Sequence, residues 1–379
     1  MWPLLLSVLV GGTARGGPDP GAPAPTCRSC HQSIVDSFAH TAHQRTSTQA
    51  GRATILGDFS PGHNQLHTRT PGIGFTMERR ADGFFYQTGW DSTTGGARTE
   101  RIDLVIGSGR RGQSYLYWRS GLLFELPVSY LTGVRRWINS PGYVDGQIDF
   151  NRLIEPRCLE CHATSFTLAP DRRVRRYAET YVLGVGCQKC HGDARKHVAY
   201  QAAHPADTTA QFIFNPAKAP RDRQIDVCAL CHSGGRDEKR AAFSFRPGDS
   251  LDAFLAPEAG KDVVPDVHGN QVALLRRSKC FQSSPGMSCS TCHDVHQVQR
   301  DVAAFVPHCQ QCHDVSQHPG ADSIGARLTT AACIDCHMPN RRSTAIRINT
   351  ATSPSSLSFR SHQIAVYRDV AAEVLRSHP

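Results

Sequence analysis

The sequence predicts a mainly α chain with little regular structure, interrupted by one β-rich insert. Three observations predict it. Fourteen of the fifteen cysteines fall into seven copies of C-x-x-C-H, a spacing that suits single helical turns. Dividing 379 residues among seven motifs leaves about 54 residues each, little chain for a conventional core. The 131 positions separating His31 from His162, the first two motif histidines, hold the strand-like runs.

The motifs are Cys27-Arg-Ser-Cys30-His31, Cys158-Leu-Glu-Cys161-His162, Cys187-Gln-Lys-Cys190-His191, Cys228-Ala-Leu-Cys231-His232, Cys289-Ser-Thr-Cys292-His293, Cys309-Gln-Gln-Cys312-His313 and Cys333-Ile-Asp-Cys336-His337. This is the attachment pattern of c-type haem. Two thiols one turn apart each form a thioether to a vinyl group, and the adjacent imidazole falls beneath the iron. Disulfides, a redox dithiol or a zinc site place no demand on the residue after the second cysteine. Seven covalently attached haems c are therefore expected, with His31, His162, His191, His232, His293, His313 and His337 as proximal iron ligands. Porphyrins then supply much of the apolar interior. The expected fold is mainly α, with short helices and loops around packed haems, and a β-rich insert between the first and second haem sites.

The formal charge of +9 omits these cofactors. Each haem brings two propionates, so seven oxidised bis-imidazole haems take the total to about +2 and seven reduced ones to about −5. The basicity is mostly internal compensation, and nucleic acid is not an expected partner. Arg172, Arg173, Arg175, Arg176, Arg276 and Arg277 read either as propionate partners, through paired hydrogen bonds, or as solvated surface runs.

Trp2 to Val10 form a short apolar run, followed by small residues to Ala14 and a Gly/Pro/Ala linker to Pro25. The segment reads as a signal peptide that lacks the usual leading positive charge, or as an uncleaved anchor. A run of about nine residues is too short to span a bilayer. Covalent haem attachment takes place outside the cytoplasmic membrane, so the periplasm or another extracytoplasmic compartment is expected. The organisation reads as signal peptide and linker over 1–25 and a first haem-binding segment over 26–50. A β-rich subdomain over 51–150, a six-haem domain over 151–340 and a C-terminal tail with a helix over 341–379 complete it. The uneven motif spacing excludes a repeat array.

Inside the insert, Gly83-Phe-Phe-Tyr-Gln-Thr, Arg101-Ile-Asp-Leu-Val-Ile and Gln113-Ser-Tyr-Leu-Tyr-Trp read as strands bounded by glycine turns. Gly107-Ser-Gly109-Arg-Arg-Gly112 matches G-x-G-x-x-G. The segment after Gly112 is strand-like and no βαβ unit surrounds it, so a hairpin turn is expected rather than a dinucleotide site. From His362 through Ile364, Tyr367, Val370 and Val374 the spacing predicts a C-terminal helix.

Function depends on the sixth position of each iron. Nineteen histidines less seven proximal ones leave twelve, and Met338 is the one obvious sulfur candidate. Bis-histidine ligation is the expected rule, favouring low potentials and electron exchange. His296, three residues after His293, lies on the same side of a helical turn and would serve another haem. His43 would lie roughly 18 Å beyond His31 by helical rise, and would also reach a neighbour. The ordinary alternative for each is a surface or core histidine, an alternative weightier for His63 and His67.

The run Ile34-Val-Asp-Ser-Phe-Ala-His-Thr-Ala-His43, the stretch from Cys187 to His197, Asp266-Val-His268-Gly, Cys289 to His296 and Cys333-Ile-Asp-Cys-His-Met-Pro339 resemble the multihaem cytochrome superfamily. That group contains a tetrahaem electron-transfer cytochrome, pentahaem nitrite reductase and octahaem hydroxylamine oxidoreductase. The resemblance covers roughly 26–50 and 151–365 and implies distal-ligand roles for His43, His197, His268, His296 and His362. The insert falls outside those members; its Gly107 to Tyr115 and Asn139 to Tyr143 phrases resemble uncharacterised multihaem cytochromes. The chain departs from the enzymes in having no C-x-x-C-K motif and no eighth haem.

Electron transfer is accordingly preferred, because it requires nothing the sequence lacks. The alternative is an oxidoreductase of a small nitrogen or sulfur compound at one five-coordinate haem, with the second to fourth motifs the place to look for an open iron. A haem-packed structural or sensor module is a third reading. No catalytic residue is assigned. The expected partners are redox proteins that give and take electrons, with a membrane-associated respiratory complex as one setting. Cys280, outside every motif, reads as a buried thiol.

Overall fold

The computed structural model describes residues 24–169, 176–257, 270–318, 333–348 and 355–377. The signal-peptide run, Arg172, Arg173, Arg175 and His268 therefore lie outside the described residues. Among these, fourteen strands form four sheets beside ten α-helices, most of them one or two turns long. The protein is β-rich, and the expectation of a mainly α chain with sparse regular structure is wrong.

The ten strands β1 (Ser47–Gln49), β2 (Gln65–His67), β3 (Ile73–Arg79), β4 (Phe85–Asp91), β5 (Gly96–Arg101), β6 (Leu104–Ile106), β7 (Gly112–Arg119), β8 (Leu122–Glu125), β9 (Val128–Leu131) and β10 (Arg136–Asn139) lie between the first two motifs. They form an antiparallel four-stranded sheet in the order β2-β3-β4-β5 and a six-stranded one in the order β1-β6-β7-β9-β10, with β8 also paired to β7. The three runs expected to be strands fall on β4, on the end of β5 with β6, and on β7. The G-x-G-x-x-G phrase is the turn between β6 and β7. Gly107 and Gly109 there have φ of 102° and 80°, a region that side chains with a Cβ rarely adopt.

Alternation along the strands gives the six-stranded sheet two apolar faces. Val105, Tyr115, Tyr117 and Phe124 share a core with Phe75, Met77 and Phe85 of the four-stranded sheet, closed by Trp137 and Phe150. Leu104, Leu116 and Leu123 point the other way, onto Leu159 and Ala163 of the second motif and onto Phe166 and Tyr177. Period-two patterning thus packs a sandwich on one side and the helical turn of the second motif on the other.

The mainly α reading fails outside the insert as well. β11 (Ala163–Leu168) pairs with β12 (Tyr177–Leu183), and β13 (Asn340–Ile348) pairs with β14 (Ser355–Arg360). These segments are rich in Thr, Ser, Tyr, Val and Phe, residues that suit a pleated ribbon with one covered face. A hairpin needs only one such face, and the second and seventh motifs directly precede these two.

The helices are α1 (Ala24–Phe38), α2 (Pro156–His162), α3 (Cys187–His191), α4 (Arg195–Ala203), α5 (Arg221–His232), α6 (Gln271–Arg276), α7 (Lys279–Ser283), α8 (Val306–Gln310), α9 (Cys333–His337) and α10 (Arg368–Ser377). The C-terminal helix therefore starts six residues after His362, which lies in irregular chain. A second core of Ile225, Ala229, Leu230, Phe254, Val272 and Phe281 holds α5 against α6 and α7. Among the described residues no helix is long and apolar enough to cross a membrane.

Candidate haem-binding sites

Helical turns set each motif. α2, α3, α5 and α9 end on the motif histidine, α1 breaks at His31 with φ of −117° and ψ of 40°, the fifth motif opens on a 3-10 turn, and the sixth begins in α8. The spacing i, i+3 brings the two thiols of a motif to one side of the turn, and the histidine follows as the helix ends. No two cysteines are joined in a disulfide. Burial raises the pKa of Cys187 and Cys292 and pushes Cys190 up to about 11, while the neighbouring Cys228 lowers that of Cys289.

Five pairs of histidine rings come together. The ring centres are 6.4 Å apart for His31 and His197, 6.2 Å for His43 and His232, and 6.0 Å for His191 and His296. They are 6.1 Å apart for His293 and His362 and 6.1 Å for His318 and His337. Ring contact would be closer. Two imidazoles bound through nitrogen to opposite sides of one metal, each bond about 2.0 Å long, hold their ring centres about 6 Å apart. The angle between ring planes is then only a rotation about the shared axis. It is 15°, 14° and 27° for the pairs His31·His197, His191·His296 and His293·His362, and 81° and 75° for His43·His232 and His318·His337.

The protonation of these rings suits ligation. Nδ1 of His191 donates to the Phe214 carbonyl at 3.0 Å, Nδ1 of His197 to Gln211 at 2.9 Å, and Nδ1 of His337 to Ala365 at 3.0 Å. Nδ1 of His362 donates to Arg360 at 3.3 Å. An Nδ1–H held by a carbonyl leaves the Nε2 lone pair for a metal. Burial lowers the pKa of His43, His191 and His293 and pushes His232 and His362 down to about 4, so these imidazoles are neutral. Paired neutral imidazoles, with the two motif cysteines just ahead of one ring of each pair, fit c-type haem. Among the described residues no three or more His, Cys, Asp or Glu side chains converge as a zinc site requires.

Of the distal candidates, His43, His197, His296 and His362 each face a motif histidine, while His268 lies outside the described residues. His318 also faces one, and sequence reasoning missed it. Its signal was present, because it follows His313 by five residues much as His197 follows His191 by six. His67 packs on Trp90 in the four-stranded sheet. His162 is held differently, its Nδ1 2.9 Å from the Thr46 hydroxyl. His313 is exposed, and among the described residues no histidine ring pairs with it. It lines an open cavity of about 570 Å³ with Gln310, Gln311, Cys312, Asp314 and Val315.

Beside the second motif, burial raises the Glu125 carboxyl from 4.5 to about 7, outweighing the Arg152 guanidinium 3.2 Å away. The folded state therefore holds a proton that the unfolded chain has released. This contribution to stability is complete below pH 4.5 and is lost as pH rises through 7, to a total of about 3 kcal/mol. Denaturant titrations at pH 5 and pH 8 should show this fall in the wild type and a flatter profile in Glu125→Gln.

The family model for cytochrome c554 and c-prime matches residues 142–192, which span the second and third motifs. The C-type polyheme cytochrome OmcC of Geobacter sulfurreducens is 25% identical over 212 residues, 48% of this chain. The chain matches about a quarter of that relative's length, 26%. The fold is similar to that of the outer cell wall cytochrome OcwA, with a TM-score of 0.59 at 14% identity over 94% of this chain and 82% of the other. An undecaheme cytochrome from the S-layer of Carboxydothermus ferrireducens aligns over 93% of this chain and 53% of its own with a TM-score of 0.44. With its repeated C-x-x-C-H motifs, the family match over the second and third of them and the polyheme relative, the chain is similar to the multihaem c-type cytochromes.

Proposed function

We propose that this protein is a heptahaem c-type cytochrome that works outside the cytoplasm and carries electrons between protein partners. The observation that supports it best is the cross-pairing of histidines. His197 follows the third motif and faces His31 of the first; His43 follows the first and faces His232 of the fourth; His296 follows the fifth and faces His191 of the third. His318 follows the sixth and faces His337 of the seventh, and His362 comes back from the C-terminal segment to His293. Each pair is read as the two axial ligands of one iron. A haem held from both sides by different parts of the chain is fixed relative to its neighbours.

Haem, when bound, supplies a one-electron couple. The residues of this chain hold it covalently, present neutral imidazoles, exclude water with their buried surroundings, and bring neighbouring sites close without any group that must move. That is what electron exchange needs, and what catalysis by itself does not require. The extracytoplasmic location rests on where covalent haem attachment takes place, and the respiratory setting on the electron-carrier reading.

A second reading is favoured by one observation, the exposed His313 on its open cavity. An oxidoreductase of a small nitrogen or sulfur compound would work there, at the sixth motif. The third and fourth motif histidines, by contrast, both face partner rings.

Mass spectrometry of the mature protein should give seven haems, and electron paramagnetic resonance of the oxidised protein should separate the ligand pairs. Near-parallel rings split the iron orbitals into a rhombic low-spin signal and near-perpendicular rings into a strongly anisotropic one. Three haems of the first kind and two of the second are expected. A count other than seven ends the heptahaem reading, and a high-spin signal that shifts with nitrite or hydroxylamine selects the enzyme.

A further inference from the structure

The β-rich insert supplies none of the paired histidine rings, yet one end of it gathers arginines. The turn from Gly107 to Arg111 joins β6 to β7, and the turn from Thr132 to Arg135 joins β9 to β10. The two turns are bonded to each other at the end of the six-stranded sheet. The Thr132 hydroxyl donates to the Gly109 carbonyl at 2.7 Å, and the Thr132 amide donates to the Arg111 carbonyl at 3.1 Å. Close approach stiffens the first turn further, since a Cβ on Gly107 would meet the Gly112 carbonyl oxygen at 2.6 Å. Arg135 takes φ of 51° to close the second turn, which returns Arg136 to the ladder. Arg110, Arg111, Arg135 and Arg136 are thus held together, and all four are exposed. Asp58 lies near Arg135 and accepts from the Ser60 amide. Among the described residues no carboxylate is paired with Arg110, Arg111 or Arg136.

Strand register sets what these arginines face. Arg136 lies directly opposite Leu131, so their side chains share one face of the sheet, and Ile138, two residues on, shares it too. Leu357 of β14 packs on Leu131 and Ile138. β14 ends at Arg360, two residues before His362, whose ring centre is 6.1 Å from that of His293. The apolar contact therefore sets the arginine-bearing end of the insert beside the strand that delivers His362 to the fifth motif. In keeping with this, the charge of Arg110 acts on His293.

We propose, resting on the reading of His293 and His362 as the two axial ligands of one haem, that Arg110, Arg111 and Arg136 bind the propionates of that haem. A guanidinium takes a carboxylate through two parallel hydrogen bonds, and arginines already gathered by two bonded turns lose little freedom in doing so. The insert thereby gains a task, gripping the fifth-motif haem and setting its potential. Fixed positive charge beside a haem favours the added electron.

The test uses the full haem-loaded chain. His362→Ala first assigns the signal, because the rhombic low-spin signal it removes belongs to the fifth-motif haem. In a potentiometric titration followed by electron paramagnetic resonance, Arg110→Gln with Arg111→Gln and Arg136→Gln should lower the midpoint of that signal. The expected change is about tenfold in reduction equilibrium, ~59 mV for one electron, with the two anisotropic signals keeping their midpoints. Arg110→Lys with Arg111→Lys and Arg136→Lys keeps the charges and should restore most of the midpoint, which a purely structural role of the turns would not. A fifth-motif midpoint that does not move, a shift confined to other haems, or equal shifts with glutamine and lysine overturns the clamp. If His362→Ala removes no rhombic signal, it is the axial pairing itself that fails. Arg136→Gln alone leaves the turn from Gly107 to Arg111 intact and should give a smaller shift of the same sign, so the measurement decides the matter even where the triple variant fails to mature.

Discussion

Replacing His43 with alanine should convert one haem, the one proposed at Cys228 and Cys231, from low-spin to high-spin and leave the other haems as they were. The two thioethers and His232 keep the haem in place, so the haem count does not change. What is lost is the ring 6.2 Å from His232, in a buried setting that keeps both imidazoles neutral. His293 and His362, which also lie near His232, are paired with each other. One new haem per protein should then bind cyanide, and added imidazole should restore the low-spin spectrum, because it replaces the missing donor without the missing backbone. The oxidised spectrum should lose one of its two anisotropic signals. If His43→Ala retains every low-spin signal, His43 is not a ligand; if a rhombic signal disappears instead, the pairing of rings with sites is wrong. His318→Ala should act in the same way on the haem of Cys333 and Cys336, where the rings are 6.1 Å apart. The two variants therefore remove the two anisotropic signals one at a time.

The attachment sites were legible because each is five consecutive residues whose chemistry depends on one helical turn. The insert's strands were legible for a similar reason, since Tyr115, Tyr117 and Leu116 alternate across β7 and turn glycines bound the run. Ligand pairing was legible only in part. That His296 serves a haem other than that of His293 follows from helix geometry, but that it faces His191 depends on how distant segments fold together. His43 and His232 illustrate the same limit, being joined by packing that no local pattern encodes. His318 is visible as a histidine shortly after a motif, but it lies outside the phrases that resemble known cytochromes. The helical expectation failed at β11 to β14 because a haem motif dictates one helical turn and leaves the chain beyond it free to pair as strands. Thr164, Phe166, Tyr177 and Tyr181 make an aromatic, β-branched ribbon there, with Phe166 stacked on Tyr181 at 4.8 Å.

Expressed without haem attachment, the chain should keep its β-sandwich and lose most of the rest. The sandwich core is built from Phe75, Met77, Tyr115, Tyr117, Phe124, Trp137 and Phe150, all buried and none in a motif. Each aromatic ring of this kind buries roughly 150–250 Å², and Phe150→Ala should cost about 3–5 kcal/mol with or without haem. The Tyr117 hydroxyl donates to the Phe150 carbonyl, and Gln87 donates to the Val128 carbonyl at 2.7 Å, so the polar groups inside are satisfied as well. The haem-bearing segments lack such support. α1 is largely exposed, α4 buries no side chain, and the core around α5 is small for the chain it must order. Their apolar partners are the porphyrins, so without them the conformational entropy of those residues is not offset. Hydrogen exchange of the haem-free protein should show protection in β3 to β9 close to that of the mature protein, and fast exchange beyond Cys187. Limited proteolysis should leave a resistant fragment bounded near residues 45 and 185. Equal protection in both parts would mean that the haem-bearing segments carry a core of their own, and equal loss would mean that the sandwich depends on α2 and the second haem through Leu104, Leu116 and Leu123.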